Sequence, residues 1–341
     1  MVSMGSPGNW HWTYGWAMAD RGDVTPTPPS ITAVLDAARL VAAHLPQTPM
    51  WSYPVLNERL GAEIHVKHEN VQPTGAFKVR GGVNLLARLP RSRRERGVLA
   101  YSTGNHAQSI AYAARLFGVP CTIVMPENPN EAKVAAVRAL GATVEIKGAT
   151  MVEAGEHAAA LAEERGLHLV GVADDPDLIA GVGSLYLEML TRRPDLDVIV
   201  VPVGAGTGAS AACLVASAVA PRCRVVAVQS AGAPAAHDSW REGRLVRRPV
   251  RTAADGLATG SAFALPQGIM RGLDDFVLVS DDDIRAAQWL LLSEAHTLAE
   301  MAGAAPLAAL IAREDAFAGL KVGLVCTGGN AGPAELRRVL G

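Results

Sequence analysis

The segment Val198-Ile199-Val200-Val201-Pro202-Val203-Gly204-Ala205-Gly206-Thr207-Gly208-Ala209 sets an apolar run of strand length against a glycine-rich turn, and a helical pattern follows it. A strand without polar alternation has both faces covered, which is the condition of a parallel sheet flanked by helices. The same unit recurs along the chain. Residues 64–66, 98–101, 121–125, 143–146, 225–228, 277–279 and 322–326 read as further buried strands. Helical patterns over residues 106–117, 130–140, 151–165, 178–191, 208–219 and 281–294 separate them. Ser30 is placed to cap a first helix running to residue 45, and Pro46 and Pro49 end it. The expected fold class is α/β, with doubly wound open sheets.

A chain of 341 residues, 49% of them hydrophobic, is long enough for one large or two medium domains. Its 31 basic and 33 acidic residues give a formal charge of -2. That balance lacks the concentrated cationic footprint of a nucleic-acid or polybasic membrane partner. No apolar run reaches the roughly 20 residues of a membrane span, so a soluble protein is expected. Cys121, Cys213, Cys223 and Cys326 are far apart, with no CxxC and no His at ligand spacing. Neither a metal cluster nor a disulfide framework is expected, and a reducing cytoplasm is the natural compartment. Residues 1–29 crowd Trp10, Trp12, Tyr14 and Trp16 into a Gly- and Pro-rich stretch without the pattern of a signal peptide, and are expected to form an irregular extension.

Ligands of such sheets sit outside the carboxyl ends of the strands. Three loops carry suitable chemistry. In Gly204-Ala205-Gly206-Thr207-Gly208, small residues at a helix start let backbone N–H groups approach a phosphate. The segment also satisfies G-x-G-x-x-A, but the next strand ends at Gln229, where an NAD site wants an acidic ribose ligand. A tight turn without a ligand is the bland alternative. In Ser102-Thr103-Gly104-Asn105-His106, hydroxyls, an amide and free N–H groups form a carboxylate cradle, or an ordinary helix cap. The third loop, residues 72–82, holds Lys78, one of only five lysines. It follows a turn, adjoins Phe77 and has Arg80 nearby. A neighbouring cation and partial burial both lower an amine's pKa, which suits a Schiff-base nucleophile. Lys67 belongs to the charged strand segment of residues 65–69, and Lys133 and Lys147 fall among ordinary helix and strand-edge polar residues. An amine nucleophile, a phosphate cradle and a carboxylate cradle together suit pyridoxal 5'-phosphate (PLP) and an amino-acid substrate.

These residues resemble the fold-type II PLP enzymes, specifically the serine/threonine dehydratase (threonine ammonia-lyase) family. The resemblance rests on residues 69–81 (ENVQPTGAFKVRG), 102–108 (STGNHAQ), 124–126 (VMP), the glycine loop after Val203, the spacing from Asp175 to Gly183 and residues 326–330 (CTGGN). It covers the chain from about Ser30 to its end. It implies two open-sheet domains of the tryptophan synthase β-like architecture: a large PLP-binding domain of residues 30–90 and 171–341, and a small mobile domain of residues 91–170. A homodimer is the family default. Carried over by position, Lys78 would hold the cofactor as a Schiff base, Phe77 would pack on its ring and Asn105 would meet its ring hydroxyl. Gly204, Ala205, Gly206, Thr207 and Gly208 would hold the phosphate, and Thr327 the ring nitrogen. Ser102, Thr103, Gly104 and His106 would surround the substrate carboxylate, while Asp255 and Gly256 would face its side chain. Glu300 matches the Glu of a late cofactor-side motif, with Met301 where the family has Pro.

The activity implied is β-elimination from a serine- or threonine-like substrate to a 2-oxo acid and ammonia. A neutral hydroxyl at the ring nitrogen makes a weak electron sink, which suits prompt loss of a β-leaving group. Racemisation and β-replacement are the alternatives within PLP chemistry. An NAD-dependent oxidoreductase would explain the glycine loop alone. Trp51 and Trp240 leave a bulkier substrate open. The stretch 229–235 lacks the carboxylates that bind a structural cation in some relatives, so no metal is expected. Thr103 replaces the serine that serves as the opposite-face acid/base in serine racemases. The sequence stops soon after residue 330, so the regulatory domain of biosynthetic threonine deaminases is not expected.

Overall fold

The computed structural model describes residues 26–129 and 131–340. The Trp-rich stretch around Trp10, Trp12, Tyr14 and Trp16 lies outside the described residues. Among the described residues, ten strands form the sheets: β1 (Met50–Ser52), β2 (Glu63–His68), β3 (Val98–Tyr101), β4 (Cys121–Met125), β5 (Thr143–Ile146), β6 (His168–Val170), β7 (Val198–Pro202), β8 (Arg224–Ser230), β9 (Asp275–Val279) and β10 (Lys321–Cys326). A six-stranded sheet has the order β1-β2-β10-β7-β8-β9, and a four-stranded sheet the order β5-β4-β3-β6. The chain is thus α/β with two open sheets. Every pairing is parallel except that of β1 with β2. The smaller sheet takes its strands from one continuous stretch, and the larger from both sides of it in sequence.

The apolar run of β7 behaves as its composition requires. Val198 and Val200 pack into one core beneath the larger sheet, while Ile199 and Val201 pack into a second core on its other face. Ser30 caps the first helix, its Oγ accepting from the Ala33 N–H at 3.1 Å. No described helix is long and apolar enough to cross a membrane.

Eight described helices were not read from the sequence pattern, and the two longest of them have identifiable reasons. Residues 72–82 were expected to be a loop, but Lys78 opens the helix Lys78–Arg88. This helix is buried on almost every side from Val79 to Leu86; Arg80, Asn84 and Arg88 recur at helical spacing, but the adjacent Gly81 and Gly82 and the turn before Lys78 disguise it. The helix Met301–Ala312 is apolar all round and carries Pro306 in its interior. It lies within the core on one face of the larger sheet. The edge strands β1 and β6 were also missed, each being three residues long.

The helix Lys78–Arg88 is anchored by a buried charge cluster. Arg80, with 0% exposure, donates to Glu69 at 2.7 and 2.8 Å, to Glu188 at 2.7 and 2.9 Å, and to Ser184 at 3.1 Å. Lys67, 1% exposed, donates to Glu188 at 2.5 Å and to the Thr48 carbonyl at 2.9 Å. Lys67 lies on a strand, as the charged segment of residues 65–69 suggested, but its burial in this ion-pair cluster was not foreseen. Removing one partner of a buried pair strands the other charge. Arg80→Met is expected to lose about 3–5 kcal/mol of folding stability. Urea unfolding followed by circular dichroism measures it, and an unchanged midpoint would contradict this account.

Candidate active site

The loops after β3, β7 and β10 lie at the carboxyl ends of their strands, and the start of the Lys78 helix joins them. The Ala76 backbone bridges to Gly328, and the Phe77 N–H donates to the Thr327 carbonyl at 2.9 Å. Thr327 itself is buried. Across from it, Ser109 Oγ donates to the Lys78 carbonyl at 2.6 Å from the helix Asn105–Phe117. Lys78 is held by elements of both sheets.

Lys78 Nζ donates to Thr207 Oγ1 at 3.3 Å and lies 5.2 Å from the centre of the Phe77 ring. Burial pushes its pKa down to about 8, with the charge of Glu300 acting in the opposite sense. Arg80 does not contribute, contrary to expectation. Its guanidinium is turned into the charge cluster and neutralised there, so burial alone activates the amine.

The glycine loop ends at the start of the helix Thr207–Val219, with Gly206 at the N-cap in the left-handed region (φ 99°) and no side-chain cap bond. The first N–H groups of such a helix have no intrahelical acceptor. A Cβ on Gly204 would stand 2.2 Å from the Gly256 carbonyl, so the loop at Asp255-Gly256 closes directly onto it. Nearby, the hydroxyl of Tyr186 is buried without a hydrogen-bond partner and would lie 3.6 Å from a Cβ on Gly208.

The third part is a chain of amides. Asn105 Nδ2 donates to Glu300 Oε1 at 2.6 Å, and Asn330 Nδ2 donates to Asn105 Oδ1 at 2.8 Å. Burial pushes the Glu300 carboxyl up to about 7; Asn105 and Lys133 pull it down, and Glu335 and Asp255 push it further up. Ser102 Oγ accepts from the Gly104 N–H at 3.2 Å. Thr103 and Gly104 are half-buried, and a Cβ on Gly104 would meet nothing within 4 Å, so this bend borders open space. His106 is different. Its ring is buried and its pKa is pushed down to about 3, chiefly by burial and then by Lys78, so it offers no positive charge.

Asp255 is 75% exposed in its side chain and pairs with Lys133, which reaches over from the helix Glu131–Ala139. Lys133 is thus no ordinary helix residue. Trp51 packs against His68 at 5.0 Å on the edge strand, and Trp240 against Phe276 at 6.0 Å. Gln229 accepts from the His237 N–H at 3.0 Å. Sequence reasoning missed Ser109, Lys133, Tyr186 and the role of Asn330. The CTGGN motif could have flagged Asn330, whereas nothing in the residue types marks the others.

The donor set fits PLP. A desolvated amine suits its aldehyde. An uncapped helix N-terminus, the Thr207 hydroxyl and an orphaned tyrosine hydroxyl suit its phosphate. This defines the class as a PLP enzyme built on two open sheets. The family of pyridoxal-phosphate dependent enzymes matches residues 41–328, and the chain belongs to it. An L-threonine ammonia-lyase of Thermotoga maritima is 38% identical over 90% of this chain and 77% of its own. An L-threo-3-hydroxyaspartate ammonia-lyase of Saccharomyces cerevisiae is 35% identical over 89% of this chain and 93% of its own. The structure of maize serine racemase superposes with a TM-score of 0.88 at 30% identity, covering 92% of this chain and 97% of that one.

A lysine with a pKa near 8 is roughly one-tenth neutral at pH 7, several hundred times more than an ordinary lysine. Covalent capture of PLP by the cofactor-free protein is expected to accelerate from pH 7 to 9 and then level off. Stopped-flow absorbance checks this; a rate still climbing through pH 10 would show an unperturbed amine.

Proposed function

We propose that the chain is a PLP-dependent ammonia-lyase that eliminates the β-hydroxyl of a serine- or threonine-type amino acid, yielding a 2-oxo acid and ammonia. The observation that carries this reading is the desolvated Lys78 amine held 3.3 Å from Thr207 at an uncapped helix N-terminus. Ammonia-lyases among its relatives support the reaction type.

When bound, PLP supplies the electron sink for the pair released at the substrate Cα. Lys78 would hold it covalently, and an amine poised near neutral pH suits both that bond and removal of the Cα proton at Nζ. Phe77 would pack against the ring and Thr327 would meet its nitrogen. Asn105, with one of its two amide N–H groups on Glu300, has the other for the ring hydroxyl. Gly204, Ala205, Gly206, Thr207 and Gly208 hold the phosphate. Ser102, Thr103, Gly104 and the main chain at His106 orient the substrate carboxylate, which keeps the Cα–H bond aligned for removal. The loop at Asp255 and Gly256, tied to Lys133, closes the side-chain end and excludes water. In this reading, residues 91–170 move as a small domain against residues 30–90 and 171–341. Four unpaired cysteines suit a reducing cytoplasm, and the enzyme works as a homodimer.

Purified enzyme given a panel of L- and D-β-hydroxy amino acids is expected to release 2-oxo acid from at least one of them. Lys78→Ala should abolish that release, a loss of about a thousandfold or more. Product with inverted Cα and no 2-oxo acid would make the enzyme a racemase instead.

A further inference from the structure

We propose that Asn330 is a positioning residue that fixes the orientation of the Asn105 carboxamide, so that Asn105 turns its N–H rather than its oxygen toward Glu300 and the cofactor. The inference rests on the reading of Asn105 as a cofactor residue for its consequence, but the bonds that carry it are independent of that reading.

Asn330 Nδ2 has two hydrogens and two acceptors: the Thr74 carbonyl at 2.9 Å and Asn105 Oδ1 at 2.8 Å. Turning the Asn330 amide over would set its oxygen against both acceptors, so its orientation is determined by the Thr74 backbone. The Asn330 amide also fits tightly over Gly75, where a Cβ would lie 2.5 Å from Asn330 Oδ1. With Asn330 fixed, Asn105 can offer only its oxygen on that side and its Nδ2 on the other, where Glu300 Oε1 accepts at 2.6 Å. The chain from Thr74 through Asn330 and Asn105 to Glu300 therefore has one allowed direction. Asn105 opens a helix packed on the smaller sheet, whereas Thr74, Glu300 and Asn330 belong with the larger one. The bond thus crosses the site between them.

Without Asn330, a second arrangement opens. Asn105 could turn its oxygen toward Glu300 when the latter carries a proton to donate. The Asn330 bond consequently favours the ionised carboxylate. The charged groups around Glu300 are Lys78, Lys133 from the helix Glu131–Ala139, Asp255 from the facing loop and Glu335 from the C-terminal helix. None of them is altered by substituting Asn330, which carries no charge.

The test compares wild type, Asn330→Ala, Glu300→Gln and the double variant. Glu300 is followed by carbon NMR of labelled glutamate, assigned by its absence in Glu300→Gln, and PLP affinity by equilibrium dialysis. In Asn330→Ala the Glu300 titration is expected to move up by about half a pH unit or more, a threefold change in acidity. PLP affinity should fall about tenfold with Glu300 present and change much less in the Glu300→Gln background, where a primary amide can face either end of Asn105. An unmoved or lowered Glu300 titration, or equal losses of affinity in both backgrounds, would overturn the proposal. A raised titration with unchanged PLP affinity would uphold the positioning and instead remove Asn105 from the cofactor site. If Asn330→Ala gives no folded protein by circular dichroism, Asn330→Thr is read in the same way.

Discussion

All five N–H groups of Arg80 are bonded inside the protein, two to Glu69, two to Glu188 and one to Ser184. A guanidinium removed from water is tolerated only when its donors are answered so completely. Lys67 completes a group of two cations and two carboxylates. Burial alone would raise the Glu69 carboxyl, yet Arg80 and Lys67 hold it below its ordinary value. The cluster joins β2, the turn Glu69–Val71, the helix Lys78–Arg88 and the helix Pro176–Arg192. None of these can slide without parting charges in a medium that screens them poorly.

The position of the reactive amine follows from that anchor. Residues two apart on a helix point about 200° from one another, close to opposite faces. With Arg80 turned into the charge cluster, Lys78 faces the loops at the ends of β3, β7 and β10. Its carbonyl is held by Ser109 and its Nζ by Thr207, so the two sheets meet around one side chain. The cluster fixes the helix from which Lys78 projects, and Arg80 gives all its donors to the side away from the site. This separation explains why the strongest charge in residues 72–82 has no electrostatic part in activating the lysine beside it.

What was legible in the sequence was whatever repeats or is scarce. The run from Val198 to Val203 announced a doubly covered strand because neither face is polar. Lys78 stood out because lysines are few and Phe77 adjoins it. What escaped was whatever depends on who faces whom. The Lys78 helix is broken up in sequence by Gly81 and Gly82, and the helix Met301–Ala312 is apolar all round with Pro306 inside it, so neither shows a clean amphipathic pattern. Lys133 and Asp255 lie more than a hundred residues apart, and nothing in either surrounding sequence signals that they meet. Asn330 belonged to a quoted motif, but its task follows only from Thr74 and Asn105 being placed on the same side of it.

Two titratable groups of the candidate site, Lys78 and Glu300, are driven toward each other by the same cause. Burial lowers Lys78 to about 8 and raises Glu300 to about 7. Passing a proton from an ordinary carboxylic acid to an ordinary lysine releases about 8 kcal/mol, and the reverse transfer costs as much. Burial narrows that gap between Lys78 and Glu300 from both ends. An elimination that must take a proton at Cα and give one to the departing hydroxyl needs a site with this property. Environments that bring an acid and a base to near-equal strength are how a protein arranges it. The amide chain that ends on Glu300 then matters for more than geometry. By presenting an N–H to the carboxyl it opposes the rise caused by burial, and so helps set how evenly the pair is matched.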